Sequence, residues 1–239
     1  MSNKTKQIVS AILTFLIYTF IFNWKISILF IIGIGFHEYS HIWAAHRVGL
    51  TTKGFYFLPF VGGAAIISGR YEKYSQQAFV ALMGPVGGTA LAIVTYFIWL
   101  VTKVDFFATA ASWMVFINLF NLLPLSFMDG GQIMDTISYS INRTLGMVLH
   151  IISTVIAIPL LWMLNPILSI VIGLFGTFSC FREVRNWIYY RNNKTYLCED
   201  YYINRPTKMS NMIILSTLVS WIGTVVILLV TEYLIFKSK

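Results

Sequence analysis

The sequence predicts an all-α polytopic membrane protein with about six to seven transmembrane helices and a short membrane-inserted β-hairpin near residues 55–67. Three observations lead there. Of 239 residues, 57% are apolar and only 11% charged, where a soluble domain carries roughly 25% charged. Mean hydropathy is +0.74. The apolar residues also gather into runs of the roughly 17–25 residues that a helix needs to cross hydrocarbon. So few charges could not keep a water-soluble surface wet, and so much apolar surface rules out disorder. The net charge of +8 reads as a topology signal, and nucleic acid is not an expected partner.

Spanning segments are expected at about 7–23, 26–48, 77–102, 106–125, 145–164, 167–190 and 211–236. The first follows Lys4 and Lys6 and resembles a secretion signal. No A-x-A-like cleavage site follows it, because Ile21, Phe22, Asn23, Trp24 and Lys25 come next, so an uncleaved anchor is expected. With the N-terminus in the cytosol, 13 of the 17 lysines and arginines fall on the cytosolic side, leaving Lys25, Lys103, Lys237 and Lys239 outside. Residues 54–70, GFYFLPFVGGAAIISGR, fit no spanning helix, since Pro59 and Gly62-Gly63 interrupt a short run. Apolar residues on both sides of a Gly-Gly pair point to a hairpin dipping into the membrane from the cytosolic side. No repeat, linker or low-complexity tract breaks the chain, so residues 1–239 are expected to form one domain. Its motif-bearing core lies at about 26–135, with additional helices at 145–236.

Cys180 and Cys198 form no C-x-x-C pattern and read as ordinary thiols. The informative residues are His37-Glu38-Tyr39-Ser40-His41. Histidines four apart on a helix lie about 40° from each other and can reach one ion. Glu38, turned about 100° from His37, can stand beside a water at that ion without being a ligand. With this composition the pattern H-E-x-x-H arises by chance in ~1 of 700 such chains. Ionisable groups within a spanning helix are costly and mark functional sites.

A catalytic zinc takes three protein ligands and keeps one position open. His46 lies five residues past His41, about 140° away on a helix, and belongs at the membrane surface beside Arg47. His150 stands alone and reads as a packing residue. Glu72, Glu183, Glu199 and Asp200 fall in hydrophilic loops, while Asp105 and Glu232 lie toward the opposite membrane face. Asp129 is different. It follows an apolar segment in Asn121-Leu-Leu-Pro124-Leu-Ser-Phe-Met-Asp129-Gly130-Gly131, where Pro124 removes a helical hydrogen bond and the glycines permit a tight backbone. Such a broken helix end can hold a carboxylate at membrane depth, on the same cytosolic half as the histidines. Asp135, six residues on, is the weaker competitor.

H-E-x-x-H in an early spanning helix, followed by N-x-x-P-x-x-x-x-D-G-G in a later one, resembles the site-2 proteases, which are zinc metalloproteases that cut peptide bonds inside the membrane. Leu58-Pro59-Phe60-Val61-Gly62-Gly63 looks like that family's membrane-inserted hairpin, and Gly84-Pro85 matches the start of its G-P-x-x-N element. The resemblance covers roughly residues 30–135. It implies His37, His41 and Asp129 as zinc ligands, Glu38 as catalytic base, and Asn121 as a residue that holds substrate near the metal. Gly62 and Gly63 of the hairpin are expected to bind substrate by strand addition. One departure stands out: this chain has Gly88 where G-P-x-x-N has asparagine, so that amide is absent or supplied elsewhere, with Asn118 the candidate. Without a PDZ-sized insert or C-terminal regulatory domain, the chain resembles a minimal core of the family.

A membrane zinc transporter with H-E-x-x-H needs further ligands such as H-N-x-x-D/E, and no H-N pair occurs. Metalloproteases that pair H-E-x-x-H with a later E-x-x-x-D/H fail at Glu72, Glu183 and Glu199. The expected function is an intramembrane zinc metalloprotease with Zn(2+) as cofactor. Its expected partners are a membrane-spanning or membrane-associated protein or peptide substrate and the lipid bilayer. The expected location is the bacterial cell membrane, with the active site toward the cytosol.

Overall fold

The computed structural model describes residues 3–59, 62–125, 127–164, 166–192 and 206–238. Its elements are α1 (Asn3–Ile21), α2 (Trp24–Arg47), β1 (Thr51–Leu58), β2 (Gly62–Ser68), α3 (Tyr74–Thr102), α4 (Asp105–Asn121), α5 (Asp129–Ile141), α6 (Arg143–Leu164), α7 (Pro166–Asn192) and α8 (Asn211–Ser238). Phe60 and Val61 of the hairpin stretch lie outside the described residues, as do Cys198, Glu199 and Asp200. The protein is a helical polytopic membrane protein carrying a small antiparallel hairpin. Among the described residues five helices are long and apolar enough to cross a membrane: Lys4–Ile21, Trp24–Arg47, Tyr74–Thr102, Arg143–Leu160 and Asn211–Ser238. Helix α4 has 17 residues, the lower limit for a span. Phe20 is 93% exposed, a cost in water and none against lipid.

The chain divides into two compact units. The first gathers α1, α2, the hairpin, α3 from Val80, α4, and α8 from Val219. Within it, Asn23 caps α2 by accepting from the Ile26 N–H at 3.0 Å, so the chain reverses sharply between α1 and α2. Tyr18, Ile34, Phe57 and Ile117 form a buried cluster that joins α1, α2, β1 and α4. A second cluster of Tyr96, Trp99, Ala108, Ala111 and Ile235 ties α3, α4 and α8.

The hairpin forms where the sequence placed it, with Phe55 opposite Ala65 and Leu58 opposite Gly62. The Gly62-Gly63 pair opens β2 and does not make the turn. A bulge interrupts the register between Thr52 and Phe55, and Gly54 sits there at φ +88, a conformation suited to glycine. Both outer edges are anchored. The Phe57 N–H of β1 donates to Ser10 Oγ on α1 at 3.2 Å. The Ala65 N–H of β2 donates to Glu38 Oε2 on α2 at 3.0 Å.

The second unit holds α5, α6, α7, the first turns of α3 and the start of α8. Helix α4 ends before Pro124, and a new helix starts at Asp129, so the expected break is present. Gly130 and Gly131 lie in the first turn of α5 and not in a tight turn. The sequence reading did not separate α5, because 13 residues are too short for a span. Polar side chains link its helices. His150 Nδ1 on α6 pairs with Asp135 Oδ2 on α5 at 2.9 Å, and His150 Nε2 faces Ser179 Oγ on α7 at 3.0 Å. Tyr139 on α5 donates to Glu183 on α7 at 2.8 Å.

Candidate active site

His37, Glu38 and His41 are 3%, 7% and 8% exposed, so three ionisable side chains of α2 are buried where isolated charge is costly. Each has a specific neighbour. The Asn118 Nδ2 donates to the Met114 carbonyl of its own helix at 2.7 Å, which leaves Oδ1 facing His37 Nδ1 at 2.9 Å. His41 Nδ1 faces the Val80 carbonyl of α3 at 2.7 Å. A carboxamide oxygen and a backbone carbonyl only accept, so these partners assign the ring proton to Nδ1 in both histidines. Each Nε2 then carries a lone pair.

The two Nε2 atoms lie 3.1 Å apart. Lone pairs at that distance repel unless a proton or a cation stands between them. Two nitrogens each about 2.0–2.1 Å from one zinc ion would lie roughly 3.4 Å apart at the tetrahedral angle, close to the spacing here. The carboxyl partner expected from the sequence, Asp129, is buried at the first residue of α5 in the second unit. Within the first unit His37 and His41, both buried, supply two imidazole nitrogens. A pair of imidazole nitrogens at this spacing suits a zinc-like ion.

Glycines on two elements make the room. A Cβ at Gly84 of α3 would overlap the imidazoles of both His41 and His37. A Cβ at Gly63 of β2 would overlap the Glu38 carboxylate. Gly88, where the family pattern has asparagine, is explained the same way: a Cβ there would overlap the Asn118 amide. Asn118, 1% exposed, therefore fills that space from α4 and reaches His37. The sequence pointed to Asn118 as a replacement amide, but not to His37 as its partner. Val80 was missed altogether, because a backbone carbonyl leaves no mark in side-chain pattern.

A cavity of about 160 Å³ is bounded at one end by His37 and Glu38, with Gly62, Gly63 and Asn121 also on its wall. The structure thus brings five of the seven expected site residues around or beside one space, His41 adjoins it through His37, and Asp129 belongs to the other unit. Asn121 donates Nδ2 to the Ile117 carbonyl of its own helix at 3.0 Å, leaving its amide oxygen to face elsewhere. His46 is exposed and contacts Thr52 at 3.0 Å. His150 is a buried, partnered packing residue, as read from the sequence. Asp135, the competing carboxylate, is engaged by His150. Burial pushes its carboxyl above the ordinary range, and the hydrogen bond from His150 pulls it partly back.

Residues 25–110 match the family model described as Peptidase family M50. That segment contains H-E-x-x-H, the hairpin and Gly84-Pro85, and it ends before Asn118, Asn121 and Asp129. A solved structure described as Site-2 Protease from Methanocaldococcus jannaschii is 20% identical with a TM-score of 0.46, covering 75% of this chain and 88% of that chain. No curated protein matches the chain. The segment that carries H-E-x-x-H, the hairpin and Gly84-Pro85 is thus similar to Peptidase family M50, in a chain with five helices long and apolar enough to cross a membrane among the described residues.

Proposed function

We propose that this protein is a zinc metalloendopeptidase that cuts a peptide bond in or near the transmembrane segment of a membrane-anchored regulator or peptide precursor. The observation that carries this reading is the pair of Nε2 lone pairs 3.1 Å apart on the helix that also presents Glu38. His37, His41 and Asp129 would hold the ion. When bound, zinc supplies Lewis acidity toward a scissile carbonyl and lowers the pKa of nearby water toward about 7. Glu38 takes a proton from the attacking water and returns it to the leaving amine nitrogen. Asn118 and the Val80 carbonyl keep the imidazoles in the tautomer with the lone pair on Nε2.

Substrate must be extended before its peptide bonds are accessible, and β2 offers an edge for that. Within a strand the N–H and C=O of one residue point the same way, and direction alternates along the chain. Since the Ala65 N–H points outward to Glu38, the Gly63 N–H lies on the same edge. A substrate carbonyl that pairs with Ala65 replaces the Glu38 carboxylate there and frees the base. Strand addition thereby couples substrate arrival to activation. Asn121, on the wall of the same cavity, would hold the substrate backbone near the metal.

Glu38→Gln keeps size and hydrogen bonding but cannot accept the proton. Zinc should remain in the purified variant while cleavage falls by several orders of magnitude. Peptides that accumulate in membranes with Glu38→Gln and disappear with the active protein are its substrates. Wild-type cleavage by Glu38→Gln would overturn the role of Glu38 as base, and zinc transport surviving it at full rate would move the assignment to a transporter.

A further inference from the structure

We infer that the cavity beside Glu38 is a specificity pocket that admits one large apolar side chain of the substrate, next to the bond that is cut. The inference rests on the protease reading and names the side chain that this site selects. Three features carry it.

The first is chemistry. Away from His37, Glu38 and the two glycines, the walls are mostly apolar, from Phe30, Ile34, Phe116, Ile117 and Phe120, with Tyr18 and the Asn121 amide the polar-bearing members. A charged side chain entering this space would lose its water with no partner of opposite sign other than the catalytic groups themselves, at high cost. The second is size. The volume of about 160 Å³ compares with a hydrocarbon-lined cavity of about 150 Å³ that accepts benzene. It therefore suits leucine, methionine or phenylalanine, leaves alanine loosely packed, and is too small for an indole.

The third feature is position. Gly62 and Gly63 share the cavity with the base, and the Gly63 N–H lies on the outer edge of β2 that Glu38 occupies at Ala65. Neither carries a side chain, and the Glu38 carboxylate that bonds the Ala65 N–H and packs against Gly63 is the group that an added strand displaces. Successive side chains of an added strand point to opposite faces, so a single residue enters the pocket while its neighbours point away. That residue lies beside Glu38 and therefore flanks the scissile bond. The pocket reads one side chain and the strand edge reads only backbone.

The test is cleavage-site profiling on a peptide mixture randomised at every position, with the purified full-length protein in detergent, against the Glu38→Gln protein as blank. Wild type should enrich leucine, methionine and phenylalanine about tenfold or more over alanine, aspartate and tryptophan at one position adjoining the cut. Phe120→Ala enlarges the pocket and should move the preference toward tryptophan. Ile117→Phe shrinks it and should move the preference toward alanine, with zinc content unchanged in both. Glu38-dependent cleavage with no size preference, or with the same profile in both variants, overturns this inference and leaves the protease reading standing. Absence of any Glu38-dependent cleavage overturns the protease reading and this inference with it.

Discussion

At the scale of the residue, the decisive interaction is the bond between Asn118 and His37. The amide is oriented by its own helix, and its oxygen assigns the imidazole proton to Nδ1. Asn118→Leu keeps the volume and removes the acceptor, so zinc affinity should fall about 10- to 100-fold, measured by competition with a chelator. Asn118→Asp retains an acceptor and should keep most of that affinity. Equal zinc affinity in the wild type and the leucine variant would show that His37 is held by something else. Asp129 contributes a negative charge toward the ion on the proposed reading. Asp129→Asn keeps shape and a neutral oxygen, so cleavage should drop severely while the helices fold. Its control is Asp135→Asn, which should retain zinc and cleavage.

At the scale of the element, α3 and β2 approach α2 closely because both present glycine to it. The two approaches act on different groups, so their substitutions should separate. Gly84→Ala places a methyl against both imidazoles and should lower zinc content. Gly63→Ala presses on the Glu38 carboxylate and should leave zinc bound while cleavage is lost. Metal analysis beside a cleavage assay reads both, and the same phenotype from the two variants would refute the separation. In the second unit, the Asp135–His150–Ser179 chain holds α5, α6 and α7 together. Asp135→Ala leaves the buried His150 Nδ1 without its acceptor and should cost about 1–3 kcal/mol in detergent unfolding. Asp135→Asn keeps an acceptor and should cost less. Burial raises the Asp135 pKa from 3.8, so folding favours its protonated form. That contribution is fully present below the ordinary value and is lost as pH rises through the folded one. The stability difference between wild type and Asp135→Asn should therefore shift in favour of the asparagine variant as pH rises through that range.

At the scale of the whole molecule, the expected orientation places the hairpin and the metal-binding end toward the cytosol, where most lysines and arginines fall. Single cysteines at positions near Lys53, Arg70 and Arg143, in a protein with Cys180 and Cys198 replaced, should react only with membrane-permeant reagent. Labelling from outside intact cells would reverse the topology. Much of this architecture was legible in the sequence because lipid leaves few options: apolar runs become helices, and a Pro- and Gly-broken run cannot span. His37, Glu38 and His41 were legible because their spacing on a helix sets their relative direction. The cap at Asn23, the separate helix α5 and the start of β2 at Gly62 were not, since each depends on local geometry that hydropathy does not encode.

By itself the sequence determined the membrane setting, the hairpin, the buried triplet on α2 and the break before Asp129. Composition and periodicity act on residues near one another in the chain, and those four features are local. Only the tertiary structure decided what surrounds the triplet. Asn118 is 81 residues from His37, Val80 is 39 from His41, and Ala65 is 27 from Glu38. No short-range pattern relates such pairs. They meet because glycines of α3 and β2 let those elements approach α2 and leave room for Asn118 of α4, and that approach sets each imidazole's tautomer, the partner of the base and the size of the pocket beside it.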